Sequence, residues 1–171
     1  MSFKKELDQL YTKLGHSLEN LMRWYLKVYE HYDEVPEDNE VRVIDEQRSQ
    51  NEGEKDLIKK YGVLEIDLVA YNSRERKLLL GDVTRENKLA TVEELKKFYE
   101  KAQVFIKRWE QREKLINRTI RNVELWFISI RGFEEKAKEF AEEHQITWFN
   151  RDRLIQRLNE HNLSDLFSRL L

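Results

Sequence analysis

The chain contains no cysteine, which excludes disulfides, thiolate metal centres and a cysteine nucleophile. It has one proline, Pro36, and five glycines scattered singly. No glycine-rich phosphate loop ending in Gly-Lys-Ser or Gly-Lys-Thr occurs, nor a GxGxxG dinucleotide fingerprint or a GxSxG nucleophile elbow. The four histidines, His16, His31, His144 and His161, stand far apart without the HExxH spacing of a zinc hydrolase. The longest apolar stretches, such as Leu78 to Leu80, are far too short to cross a bilayer. The opening MSFKKELDQL lacks the apolar core of a signal peptide. The expected location is cytoplasmic, with no membrane partner. What remains is carboxylate chemistry.

At 171 residues the chain suits a single domain, 1–171, large enough to bury a core. Charged residues make up 37% and aromatic residues 11%, a combination that fits a packed domain with an ion-pair-rich surface. The net charge of -2 does not announce a nucleic-acid binder. Its distribution is uneven. Residues 30–54 are strongly acidic, whereas 107–121 carry Lys107, Arg108, Arg112, Lys114, Arg118 and Arg121. A solvated helix end accounts for such a run. So does a phosphate-binding stretch, in which case DNA affinity should fall steeply with salt.

Hydrophobic periodicity predicts a long N-terminal helix over 3–32, with Phe3, Leu7, Leu10, Leu14, Leu18, Leu21, Tyr25 and Val28 on one stripe. That stripe could dock on the domain's own sheet or on a second subunit, so a homodimer is expected. Residues 41–84 hold strands and a hairpin. VRVID at 41–45 alternates, 47–56 reads as polar loop, and GVLEIDLVAY (62–71) and KLLLGDVT (77–84) flank the turn NSRER. Over 91–171, a helix at 91–115 precedes a strand at 123–130, a helix at 133–144, a strand at 146–149 and a final helix pair at 151–160 and 163–170. The expected class is α/β, a mixed central sheet flanked by helices.

Glu65 and Asp67 interrupt an apolar strand, on one face if alternation holds, and Asp82 ends the next strand with Thr84 on its face. If the strands pair, Asp67 and Asp82 approach each other at their ends. Such acids must be solvated, paired or neutralised by a cation. Lysine or arginine partners would do this. So would Mg²⁺, which takes one or two carboxylates and keeps several waters.

The stretch EIDLVAYNSRERKLLLGDVT, running into the helix TVEELKKFYEKAQVF, resembles the core motif of the PD-(D/E)XK, or restriction-endonuclease-like, nuclease superfamily. The resemblance extends to Glu19 in GHSLENLM upstream and to the later strand and helix pair. It implies a restriction-endonuclease-like fold and Mg²⁺- or Mn²⁺-dependent hydrolysis of DNA. By resemblance, Asp67 and Asp82 bind the metal, Val83 offers its carbonyl, and Glu19 is an auxiliary acid. Glu65 would be a neighbouring or surface group.

The departure from the motif is Thr84, which stands where the superfamily has a lysine that orients water and stabilises charge. Lys88 is the nearest replacement in sequence, followed by Lys96 and Lys97, while Arg85 should face away. Two functions follow: a nuclease using Glu19, Asp67, Asp82 and a displaced lysine such as Lys88, or a degenerate nuclease-fold module serving DNA binding or protein assembly. The loss at Thr84 leads us to expect a weak or inactive wild type. Candidate nucleic-acid contacts are Arg108, Arg112, Lys114, Arg118 and Arg121.

Overall fold

A computed structural model describes residues 17–84, 86–163 and 165. Elements in chain order are α1 (Leu18–Val28), α2 (Asn39–Arg42), β1 (Val43–Ile44), α3 (Glu52–Tyr61), β2 (Leu64–Glu65), β3 (Leu68–Asn72), β4 (Lys77–Thr84), α4 (Val92–Lys114), β5 (Asn122–Ser129), α5 (Glu135–Glu143), β6 (Ile146–Phe149) and α6 (Arg151–Asn159).

Side-chain alternation along the strands sorts the protein into three layers. The main sheet runs β3-β4-β5-β6, antiparallel in the β3–β4 hairpin and parallel thereafter. Val69, Tyr71, Leu78, Leu80, Leu125 and Phe127 face one core, where Phe98, Ala102, Phe105 and Trp109 of α4 meet Ala137 and Ala141 of α5. Leu68, Ala70, Leu79, Val83, Trp126 and Ile128 face the other, against Leu18, Leu21, Met22, Tyr25 and Leu26 of α1 and Leu154 and Leu158 of α6. The expected mixed sheet with helices on both faces is what is found.

Several local expectations change. Of the described part of the N-terminal stripe, Leu18, Leu21 and Tyr25 are buried on the domain's own sheet, whereas Val28 is 45% exposed; residues 3–16 lie outside the described set, as does most of 163–170. Residues 52–56, expected as part of a polar loop over 47–56, begin helix α3, which runs to Tyr61. Asn51 Oδ1 accepts the Glu54 amide at 2.9 Å, Glu54 accepts the Gln50 amide at 2.8 Å, and Ile58 turns inward. Residues 41–45 yield only the two-residue β1, because Asp38 caps a short helical turn through Arg42. The strand expected over 62–71 is broken. Glu65 and Leu64 pair with β1 in a separate two-stranded ladder, and the chain crosses at Ile66 and Asp67 to begin β3.

Gly81 is central to this sheet. It lies between Leu68 of β3 and Trp126 of β5 in the ladder. A Cβ there would sit 3.1 Å from the Trp126 carbonyl oxygen and 3.3 Å from a Leu68 methyl. The carbonyl belongs to a paired strand and cannot move aside freely. We therefore expect Gly81→Ala to destabilise the fold by about 1–3 kcal/mol, read as a lower urea midpoint. An unchanged midpoint would show that the β4–β5 spacing is not fixed by this contact.

Candidate active site

The β3–β4 ladder ends at Leu68↔Gly81. One step further, two carboxylates take over from backbone pairing. The Asp67 amide donates to Asp82 Oδ1 at 3.1 Å, and the Val83 amide donates to Asp67 Oδ2 at 2.8 Å. Each acid thus holds the other's strand, and the two side chains meet as the hairpin pattern predicts. Lys101 enters from α4, its Nζ 2.6 Å from Asp82 Oδ2 and its side chain only 8% exposed.

Two arginines fix the chain behind Asp67. Arg23 of α1 donates through Nη2 to the Asp67 carbonyl at 3.1 Å, and Arg42 donates through Nη1 to the Ile66 carbonyl at 3.2 Å. Both are buried. They satisfy consecutive carbonyls where the chain leaves one ladder for the other, and so set the direction in which Asp67 points. Burial lowers the Arg23 pKa, as does the neighbouring Arg42 charge, while Glu19, Glu37 and Asp67 oppose the shift.

Asp67 has no cation of its own within ion-pair distance among the described residues; Lys101 is bonded to Asp82. Burial, then the Asp82 charge, push the Asp67 carboxyl up to about 7, against the Val83 amide and the more distant Lys101. The Glu19 charge adds to this rise. The Glu19 carboxylate itself accepts the Ser17 hydroxyl at 2.7 Å. Among the described residues no three acids or histidines form a metal-binding group, so Glu19, Asp67 and Asp82 do not make a ready-formed triad.

The pair opens into a cleft of about 290 Å³ whose walls include Thr84, Lys88, Lys97 and Phe127. Thr84 Oγ1 accepts the Glu86 amide at 3.3 Å, so it caps a turn. Lys88 is held at the rim by Glu86 at 3.1 Å and Glu94 at 3.4 Å, 59% exposed, and does not bond either aspartate. Lys96 is exposed on α4. Glu65 is turned outward, 55% exposed and 3.7 Å from Arg42, because the strand break defeats its alternation with Asp67. Arg85 lies outside the described residues.

Lys101, the lysine that meets Asp82, is not among the residues the sequence singles out. It follows Phe98 by three residues and precedes Phe105 by four, on the apolar face of α4. A lysine on such a face needs a partner, and that is the signal by which the sequence could have found it.

The basic stretch stands at the other end of the sheet. Arg121 donates its amide to Arg76 beside the start of β4, five residues or roughly 17 Å of strand from Asp82. Arg108 binds Glu54 through both Nε (3.1 Å) and Nη2 (2.8 Å), and Arg112 pairs with Glu34 at 2.8 Å. Lys114, Arg118 and Arg121 are exposed. These five residues do not converge on the carboxylates.

Two carboxylates are compatible with a hard cation. Mg²⁺ and Mn²⁺ take oxygen ligands, and Mg²⁺ completes its shell with water when the protein offers only one or two acids. A buried acid without a cation beside a second acid is the electrostatic setting that such an ion relieves. The N–H and C=O of one strand residue point the same way, so the Val83 carbonyl faces the Asp67 side.

Comparison with family models, curated proteins and solved structures returns no significant match.

The raised Asp67 pKa makes stability depend on pH. A carboxyl whose folded value lies above its ordinary 3.8 binds more protons folded than unfolded between about 4 and 7. Stability from this group therefore falls as pH rises through that window and is level above it. In metal-free buffer, Asp67→Asn should remove this component and raise stability at pH 8 by on the order of 2 kcal/mol. Thermal melts from pH 4 to 8 read it. A variant with the same pH profile as wild type would contradict the assignment.

Proposed function

We propose that the protein is a Mg²⁺- or Mn²⁺-dependent nucleic-acid phosphodiesterase with a restriction-endonuclease-like arrangement. Asp67 and Asp82 would hold the ion, and Lys101 would stand in for the lysine that Thr84 replaces. The observation that carries this reading is the Lys101 ammonium, buried and 2.6 Å from Asp82. It puts a positive charge at the acid pair from a helix, where the strand motif lacks one.

When bound, the ion would supply charge neutralisation at the phosphate and acidify a coordinated water. The chain's own groups do the rest. Asp67 and Asp82 bind through oxygens whose directions are set by the Val83 and Asp67 amides. Lys101 can donate to the attacking water or to a phosphate oxygen, in a low-dielectric setting where such a donor acts strongly. Glu19 adds negative charge near Asp67 and so favours cation capture. Lys97 lines the same cleft and is placed to meet a flanking phosphate. The alternative, a degenerate module for DNA binding or protein assembly, draws on the threonine at position 84 and on the modest overall basicity; the buried Lys101 at the pair favours the phosphodiesterase.

Cleavage of labelled single- and double-stranded DNA and RNA in Mg²⁺ or Mn²⁺ tests this. Wild type should cut, Lys101→Ala should be slower by about two to three orders of magnitude, and Asp82→Asn should be inactive. Thr84→Lys should change the rate little, since the charge is already present. Absence of metal-dependent cleavage by wild type, or full activity in folded Lys101→Ala, would overturn the reading.

A further inference from the structure

An apolar groove of about 440 Å³ opens between the 34–41 segment and α4. Val69, Leu80, Phe105 and Trp109, all buried, line it, and Val35, Pro36 and Val41 form a partly exposed wall. Its two arginines are already engaged. Arg112 lies 4.4 Å from the Trp109 ring centroid and pairs with Glu34 at 2.8 Å, and Arg108 is tied to Glu54. Along the wall, Glu37, Asp38 and Glu40 are exposed and join no ion pair among the described residues. Arg48, bound to the Asn39 carbonyl at 3.3 Å, offsets one of these three charges.

The end of α4 carries the opposite surface. Leu115 is 86% exposed and Ile116 58%. They stand on a closed turn: Asn117 has a φ of 56°, and the Asn117 and Arg118 amides donate back to the Lys114 and Glu113 carbonyls at 3.0 and 2.9 Å. Lys114, Arg118 and Arg121 flank the two side chains in sequence and also join no ion pair among the described residues. The Arg121 amide ties this segment to the β3–β4 turn, which adds Arg74 and Arg76 against Glu75. Even with Glu110 one turn back on α4, positive charge prevails here. An apolar centre with a charged rim is the anatomy of a protein interface.

We propose that the groove takes Leu115 and Ile116 of a second copy of this chain, in a two-fold dimer. The two surfaces are neighbours. Leu115 and Ile116 follow Arg112 by three and four residues and so continue its face of α4, and Ile116 lies roughly 10 Å beyond Trp109 along the axis. A two-fold axis between them, with α4 antiparallel to its copy, sets each turn against the other's groove, as a self-complementary contact requires. The unpaired bases of one copy then meet the unpaired acids of the other. The contact does not use the N-terminal stripe. It is independent of the phosphodiesterase reading, because Asp67 and Asp82 lie at the other end of the sheet.

Sedimentation velocity over a concentration series tests the contact. Wild type should dimerise as concentration rises, and more weakly at high salt. Leu115→Asp with Ile116→Asp, at exposed positions outside the core, should weaken the dimer at least tenfold. Glu37→Lys with Glu40→Lys should weaken it about five- to tenfold, and so should Lys114→Glu with Arg118→Glu. An equimolar mixture of these two charge-reversed proteins should recover the dimer, because every reversed patch then faces its opposite. Wild type that stays monomeric would overturn the proposal. So would a dimer indifferent to the Leu115 and Ile116 changes, or charge-reversed proteins that each dissociate and stay monomeric when mixed. Labelled duplex DNA that binds monomeric wild type, and is lost with Lys114→Glu and Arg118→Glu, would give the bases to nucleic acid and also overturn it.

Discussion

Two like charges are held together at the end of a β-ladder, and the surrounding structure answers to that constraint. Asp67 and Asp82 each accept a backbone amide from the other's neighbourhood, so the hairpin closes through side chains where its backbone pairing stops. At a separation of a few ångströms their repulsion is on the order of several kcal/mol in a partly buried setting. Lys101 offsets part of this from one side of the sheet. Arg23 and Arg42 hold the carbonyls of Asp67 and Ile66 from behind, and the Arg23 charge also interacts with Asp67. Lys101 and Arg23 are buried beside the two acids, and among the described residues Asp67 still stands without an ion-pair partner of its own.

The architecture explains how these groups come from so far apart in sequence. α1 lies on one face and delivers Arg23. α4 lies on the other and delivers Lys101. The end of α2 delivers Arg42, and the small β1–β2 ladder beside it sets the crossing at Ile66 and Asp67. Packing keeps α4 in place: Leu95, Phe98, Ala102 and Phe105 are buried on the same side as Lys101, so the ammonium is positioned by the core and its own reach is short.

Much of this was legible in the sequence because alternation and helical periodicity act locally. KLLLGDVT and ITWF fall on strands with the expected bounds, and the 91–115 helix and its apolar face are found within a residue. The pairing of Asp67 with Asp82 followed from hairpin geometry alone. Local patterns failed where tertiary contacts decide. Glu65 lost its shared face with Asp67 because the chain changes ladders between them. Helix α3 was hidden by its polarity, although Asn51 and Glu54 form a capping pair and Leu57, Ile58 and Tyr61 are spaced for one face. Lys101 was passed over because nearness in sequence favoured Lys88, whereas nearness across the sheet is set by the packing of α4. The basic stretch at 107–121 was visible as charge, but its ion pairs to Glu54 and Glu34 and its distance from the acids depend on the whole fold.

We propose that Asp67 and Asp82 share one divalent cation with Lys101 beside it. A crystal grown or soaked in Mn²⁺, with anomalous scattering recorded at the manganese edge, tests it most directly. One anomalous peak is expected within about 2.0–2.3 Å of an oxygen from each aspartate, with Lys101 moved off Asp82 or hydrogen-bonded to a metal-bound water. No peak at the pair under saturating Mn²⁺, with Lys101 still closing on Asp82, would contradict it.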